Sequence, residues 1–183
     1  FYQMGVNSDD GFRVSVGDTP PANNLALVVS GAPSAAGSYH TAVAPSSTAK
    51  PFTAPISAKL VYMDPADGCT DLVNAAALSG NIALVDRGTC DFSAKIKAAK
   101  DAGAIAVVVV NNRTEDLGAW PEGVFPIEMG AGAVGYQDIP AVMISSPDGD
   151  KIKTGLNSDL IASLTPDDTP ALGVADFGRG SAD

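Results

Sequence analysis

At 183 residues the chain is long enough for one domain with a substantial core, or for one domain plus part of another. Its 21 acidic residues against 11 basic ones give a net charge of -10, which disfavours nucleic acid and anionic membrane surfaces as partners, since both need clustered Lys and Arg. No run approaches the ~18 apolar residues of a membrane span, the opening FYQMGVNSDD lacks the charge and apolar block of a signal peptide, and the absence of Met at residue 1 suggests a fragment of a longer protein.

Phe1 to Asp18 reads as a hairpin, with Phe12, Val14 and Val16 alternating against polar residues after an Asn7-Ser8-Asp9-Asp10-Gly11 turn. Thr19 to Ala54 is rich in Pro, Ala, Ser, Thr and Gly. Leu25 to Val29 is a strand within it, and Gly31 to Thr53 is expected to be a mobile or irregular connection. His40, the single His, has no acidic or Cys neighbour and reads as a solvated loop residue. Ile56 to Met63 is a strand running into an Asp64-Pro65 turn, and Thr70 to Leu78 a short helix with Thr70 as its N-cap.

Gly80 to Asn112 is the most legible stretch. Ile82, Ala83, Leu84 and Val85 form an apolar run too short for a helix, and so does the run from Ile105 to Val110; both are expected to be strands buried on both faces. Between them Phe92, Ile96, Ala99 and Gly103 follow helical spacing, with Lys95, Lys97, Lys100 and Asp101 on the other, solvated side. Asp91 is placed to cap this helix and Gly103 to end it, so the unit reads as a βαβ crossover with parallel strands. Arg113 to Asp138 is a long Gly-rich segment carrying Trp120, Phe125, Met129 and Tyr136, and a loop of that length is functional or mobile. Ile139 to Ile144 is a further strand, with Pro140 implying an edge or a bulge. Ser145 or Ser146 caps a helix with Pro147 at its first position and with Ile152 and Leu156 on its buried face. Asp159 to Leu164 is a last strand. The sum is an α+β domain with a mixed sheet and two or three short helices.

A catalytic constellation is missing from this inventory. A Ser or Cys nucleophile needs a base, and His40 is the one imidazole; neither a G-x-S-x-G elbow, nor H-E-x-x-H, nor a G-x-x-x-x-G-K-[ST] loop occurs. Gly130-Ala-Gly132-Ala-Val-Gly135 matches G-x-G-x-x-G in letters, yet it neither follows a strand nor opens an amphipathic helix. Two acidic clusters, Asn7/Asp9/Asp10 and Asp64/Asp67/Asp71, invite a calcium reading, but neither has EF-hand spacing and turn chemistry accounts for both; no cofactor or metal is expected. Cys69 and Cys90 can pair in one way only. In a cytosolic protein they would be free thiols, and a metal site would need ligands at closer spacing.

Gly80, Arg87-Gly88-x-Cys90-x-Phe92, Lys95, Ala102-Gly103-Ala104 and Asn111 together resemble the signature of the protease-associated (PA) domain. Ile139-Pro-Ala-Val-Met-Ile-Ser145 with Gly149 and Leu156 matches the family's second motif, and Gly68-Cys69 matches the partner of Cys90. The motifs occur in order over roughly Ile56 to Leu164.

The resemblance implies an open, curled sheet or barrel flanked by the short helices, with β-rich extensions: an N-terminal extension over 1–54, the core over 55–165 and a C-terminal extension over 166–183. It implies a Cys69–Cys90 disulfide, which in the chain-entropy model closes a loop of about 20 residues for ~3 kcal/mol, and hence a secreted, extracellular setting. It also implies a non-catalytic module that binds a protein or peptide and regulates substrate access beside neighbouring domains, of a peptidase above all. Arg87, Gly88 and Thr89 are the candidate binding loop, with Arg87 a bidentate donor to a peptide carboxylate or a brace for its own loop, and Trp120 and Phe125 candidate apolar anchors. An alternative is a PA domain inserted in the β-sandwich of an adhesin or carbohydrate-binding protein, of which Phe1–Asp18 and Leu172–Asp183 would be strands.

Overall fold

The computed structural model describes residues 25–112, 116–117, 120–121, 126–127 and 129–166. The N-terminal hairpin, Phe125 and the Leu172–Asp183 strand expected from the sequence lie outside them. Ten strands and three helices are described: β1 Leu25–Ser30, β2 Gly37–Tyr39, β3 Ala42–Val43, β4 Ile56–Tyr62, α1 Ala75–Leu78, β5 Ile82–Asp86, α2 Phe92–Asp101, β6 Ala106–Val110, β7 Asp116–Leu117, β8 Trp120–Pro121, β9 Ala141–Ile144, α3 Ser146–Lys153 and β10 Ile161–Pro166. Eight of these make one mixed, curled sheet in the order β2-β1-β10-β4-β5-β6-β9-β3, while β7 and β8 pair separately. The strands from β4 through β5 and β6 to β9 are parallel and the flanking pairs antiparallel.

The central βαβ unit has a direct cause in residue type. Every residue of β6, and β5 from Ile82 to Val85, is buried. Alternate side chains serve two cores: Ile82, Leu84, Val108 and Val110 join Leu27, Leu60, Leu164 and Ile152 of α3, whereas Ala83, Val85, Val107 and Val109 meet Ile96 and Ala99 of α2. An aliphatic side chain so enclosed contributes about 1.5–3 kcal/mol, and a polar residue on either face would forfeit it. Gly103, at φ +87°, donates its N–H to the Lys100 carbonyl at 2.8 Å and ends α2 in the left-handed conformation. On the other side α3 lies close on β6: a Cβ at Gly149 would fall 2.2 Å from Val110 Cγ1.

Several expectations are corrected. Gly31 to Thr53 is not an irregular connection, for it supplies β2 and β3 and buries Ala35, Tyr39, Thr48, Ala49 and Phe52. Tyr39 and Phe52 anchor it in the first core, and the Thr48 hydroxyl donates to the Met129 carbonyl at 2.8 Å. β1, β2 and β3 all precede residue 55 and belong to the same sheet, β1 pairing with β10 from Leu25↔Pro166 to Ser30↔Ile161. The first helix starts at Ala75 rather than Thr70, because Asn74 braces the turn by donating to the Tyr62 carbonyl at 2.7 Å and accepting from the Asp64 N–H at 3.0 Å. Pro140 does not put β9 at an edge. It precedes the strand, and the ladder uses only its carbonyl, which accepts from Val107 N–H at 2.9 Å. The helix after β9 is capped as its sequence predicts: Ser145 Oγ accepts from Asp148 N–H at 3.2 Å, and Ile152 is buried.

β2 and β3 stand at opposite ends of the strand order yet are separated in sequence only by His40 and Thr41. Two residues span little more than ~10 Å, so the sheet must curl until its borders nearly meet.

Candidate functional site

The segment from Asp86 to Phe92 leaves the C-terminal end of β5 and enters α2, which is where open sheets with parallel strands present their loops to ligands. Asp86 stays at the strand end: its carboxylate accepts from Tyr62 Oη at 2.7 Å and pairs with the Lys153 ammonium at 2.7 Å. Burial, followed by the hydrogen bond to Asp86, raises the Tyr62 pKa well above the ordinary phenol value, since ionisation would place two anions side by side. The next residue, Arg87, is anchored by its backbone N–H to the Val110 carbonyl at 2.8 Å. Its guanidinium donates to Asn111 Oδ1 at 2.9 Å and lies 5.7 Å from the centre of the Phe92 ring.

Gly88 and Thr89 are exposed at the turn. Gly88 passes so close to the Gly68 loop that a Cβ there would come 2.9 Å from Asp67 Cβ, and Thr89 Oγ1 donates to Asp67 Oδ2 at 3.2 Å. Cys90 is disulfide-bonded to Cys69, with Cα atoms 5.7 Å apart, so the two loops are joined covalently as well as by hydrogen bonds. Asp67, one of the acids weighed as a calcium ligand, holds this junction, accepting from Cys69 N–H at 3.2 Å through its other carboxylate oxygen. Among the described residues no group of three or more His, Cys, Asp or Glu could hold a metal ion.

Lys95 is the residue that periodicity misplaces. Its side chain is fully buried rather than solvated, and Nζ donates to the Asp67 carbonyl at 2.6 Å and to Cys69 Sγ at 3.2 Å. Burial lowers its pKa from the ordinary lysine value, and attraction to Asp67 and Asp86 opposes that shift. The signal was present in the signature, which places a Lys five residues after Cys90.

Asp91 does not cap α2 through its side chain. Its carboxylate turns outward and accepts from Ala133 N–H at 3.0 Å, while Gly132, at φ +58°, lies so close that a Cβ would stand 2.4 Å from that carboxylate. The Gly130–Gly135 run is thus a turn seated on Asp91. Between the two turns lies a cleft of about 380 Å³, walled by Arg87, Gly88, Thr89 and Cys90, by Asp91 and Phe92, and by Gly130 and Gly132. Three of the candidate binding residues, Arg87, Gly88 and Thr89, therefore share one cleft. Trp120 pairs with Leu117 in the β7–β8 ribbon. His40 is exposed just after β2.

Known proteins resemble this chain in sequence and in fold. Signal peptide peptidase-like 2 of Arabidopsis thaliana is 36% identical over 119 residues, covering 64% of this chain and 20% of its own length. C5a peptidase of Streptococcus pyogenes serotype M1 is 33% identical over 105 residues, covering 57% of this chain and 8% of its own. The chain thus spans a fifth or less of these curated relatives. A zinc aminopeptidase from Bacillus subtilis superposes with a TM-score of 0.57 over 84% of this chain and 32% of its own, at 23% identity, a likeness of fold alone. The family model of the PA domain matches residues 56–152, which run from the start of β4 to the Ile152 turn of α3 and carry the whole disulfide-tied junction. Since that match takes in more than half of the sequence, the chain belongs to the PA domain family.

Proposed function

We propose that this PA domain is a non-catalytic binding module of a longer exported protein, a peptidase, and that it takes an extended protein or peptide segment in the cleft between the Arg87–Cys90 turn and the Gly130–Gly132 turn. The observation that carries the reading is the way that cleft is built. One wall is immobilised by a disulfide, by Asp67 and by buried Lys95; the other is glycine backbone. A preorganised wall lowers the ordering cost of binding, and glycine lets a ligand's main chain approach closely. Arg87, oriented by Asn111 and Phe92, is the group to meet a peptide carboxylate or carbonyl. Trp120 and Phe125 are assigned the apolar anchoring. One relative is named a peptidase and another peptidase-like, and the share of each that aligns with this chain is small, which fits an accessory part. The disulfide supports export, because such bonds persist in oxidising compartments.

The test is titration with a peptide library, read by the fluorescence of Trp120, the single Trp. Arg87→Ala should weaken a selected peptide by roughly tenfold to a hundredfold, the loss of a charge-assisted hydrogen bond. Lys59→Ala, which removes an exposed ion pair between Lys59 of β4 and Asp159, should leave binding unchanged. Peptide hydrolysis by the purified chain, or binding indifferent to Arg87 and Thr89 substitutions, would refute the proposal.

A further inference from the structure

The two sulfurs of the Cys69–Cys90 disulfide have different surroundings. Cys69 Sγ accepts from the buried Lys95 ammonium at 3.2 Å and from the Cys90 backbone N–H at 3.2 Å. Cys90 lines the open cleft, and both cysteines are half-buried. We propose that this disulfide is a directional thiol-exchange site, in which a low-molecular-weight thiol attacks Cys90 from the cleft and Cys69 departs as the thiolate held by Lys95.

The chemistry follows from what controls exchange. A thiolate attacks one sulfur of a disulfide, and the other leaves; the leaving sulfur that better stabilises negative charge leaves faster. A neighbouring ammonium and a backbone N–H are the features that lower a cysteine pKa. Here both donors converge on Cys69, and Lys95 itself is fully buried. In the oxidised state the Lys95 ammonium is buried against a carbonyl and a neutral sulfur, with Asp67 and Asp86 as the nearby acids. A thiolate formed on Cys69 supplies a counter-charge at hydrogen-bond distance.

In the first step the external thiolate forms a bond to Cys90 Sγ while the Cys69–Cys90 bond breaks, its electron pair remaining on Cys69 Sγ. In the second, another thiol attacks the external sulfur of the mixed disulfide. It releases the oxidised disulfide of the reagent, and the two protons brought by the two thiols are left to the reduced cysteines or the solvent. The thiol is the reductant throughout.

The experiment uses the intact chain with substoichiometric reduced glutathione, quenched by an alkylating reagent and mapped by mass spectrometry. Glutathione should be found on Cys90 and the alkyl label on Cys69, with a bias of about tenfold or more, the scale expected when one leaving thiol is favoured by a cation. An even distribution, or glutathione on Cys69, would overturn the proposal without any variant. Lys95→Met should slow reduction by roughly tenfold and erase the bias, whereas Lys95→Arg, which keeps the charge, should restore it. A Lys95 that only supported the fold would change stability in Lys95→Met but leave the glutathione on Cys90, and that result too would refute it. Should Lys95→Met fail to fold, the map on the unaltered chain decides.

Discussion

Single residues at the C-terminal end of β5 are tied by ionisation as much as by packing. Tyr62 donates to Asp86, which also holds Lys153, and its phenol is favoured in the protonated form. Because its folded pKa lies above the unfolded value near 10, that stabilisation is fully present below pH ~10 and fades as the pH rises through the folded value. Urea unfolding of the wild type should therefore show a decline above pH ~10 that is shallower in Tyr62→Phe; identical slopes would mean that the half-buried, Asp86-bonded phenol carries no linkage. Tyr62 itself reads as a strand residue in the sequence, and nothing local announces Asp86 as its partner, because the contact is made between neighbouring parallel strands. Lys95 failed to be legible for a related reason. Helical periodicity assigns faces relative to a single apolar stripe, whereas α2 is covered on a second flank by the Asp67–Cys69 loop, which periodicity cannot see.

At the scale of elements, legibility followed the local character of the signal. β5, α2, β6 and the Ser145 cap are each specified by residues within a few positions, by aliphatic runs, helical spacing, Gly103 and a Ser three residues before Asp148. β2 and β3 are three and two residues long and are made by what they pair with, so their short runs read as loop. The two helix starts separate the cases. Ser145→Ala should cost about 1 kcal/mol in chemical denaturation, the ordinary value of a side-chain cap. A loss indistinguishable from zero would place the stability of α3 in Ile152 and Gly149 alone. At α2 the acid that sequence nominates as a cap is committed to Ala133, and so the cleft was only half visible: the Arg87–Thr89 wall follows from the motif, while the Gly130–Gly132 wall depends on a contact across 42 positions.

For the molecule as a whole, the curled sheet was foreseen from the PA resemblance, and residues before 55 supply three of its strands. That contribution has a mechanical consequence. β1 and β10 are antiparallel neighbours, and Leu25 and Pro166 are register partners at the same end of the pair. Antiparallel hydrogen bonds lie perpendicular to the strands, so a pull applied at these two residues loads them one after another, as in opening a zipper, rather than all together in shear. Stretched in single-molecule force spectroscopy between those points, the domain should yield at low force. The Cys69–Cys90 bridge, with a separation of 21 residues, withholds the intervening segment from extension. Reduction should lengthen the fully extended chain by ~70 Å at about 3.4 Å per residue, and an unchanged contour length would mean that the bridge had not been closed. Weak under tension at β1 and β10 and inextensible between Cys69 and Cys90, the domain would come apart first at its Leu25–Pro166 end while the covalent tie beside the cleft still held.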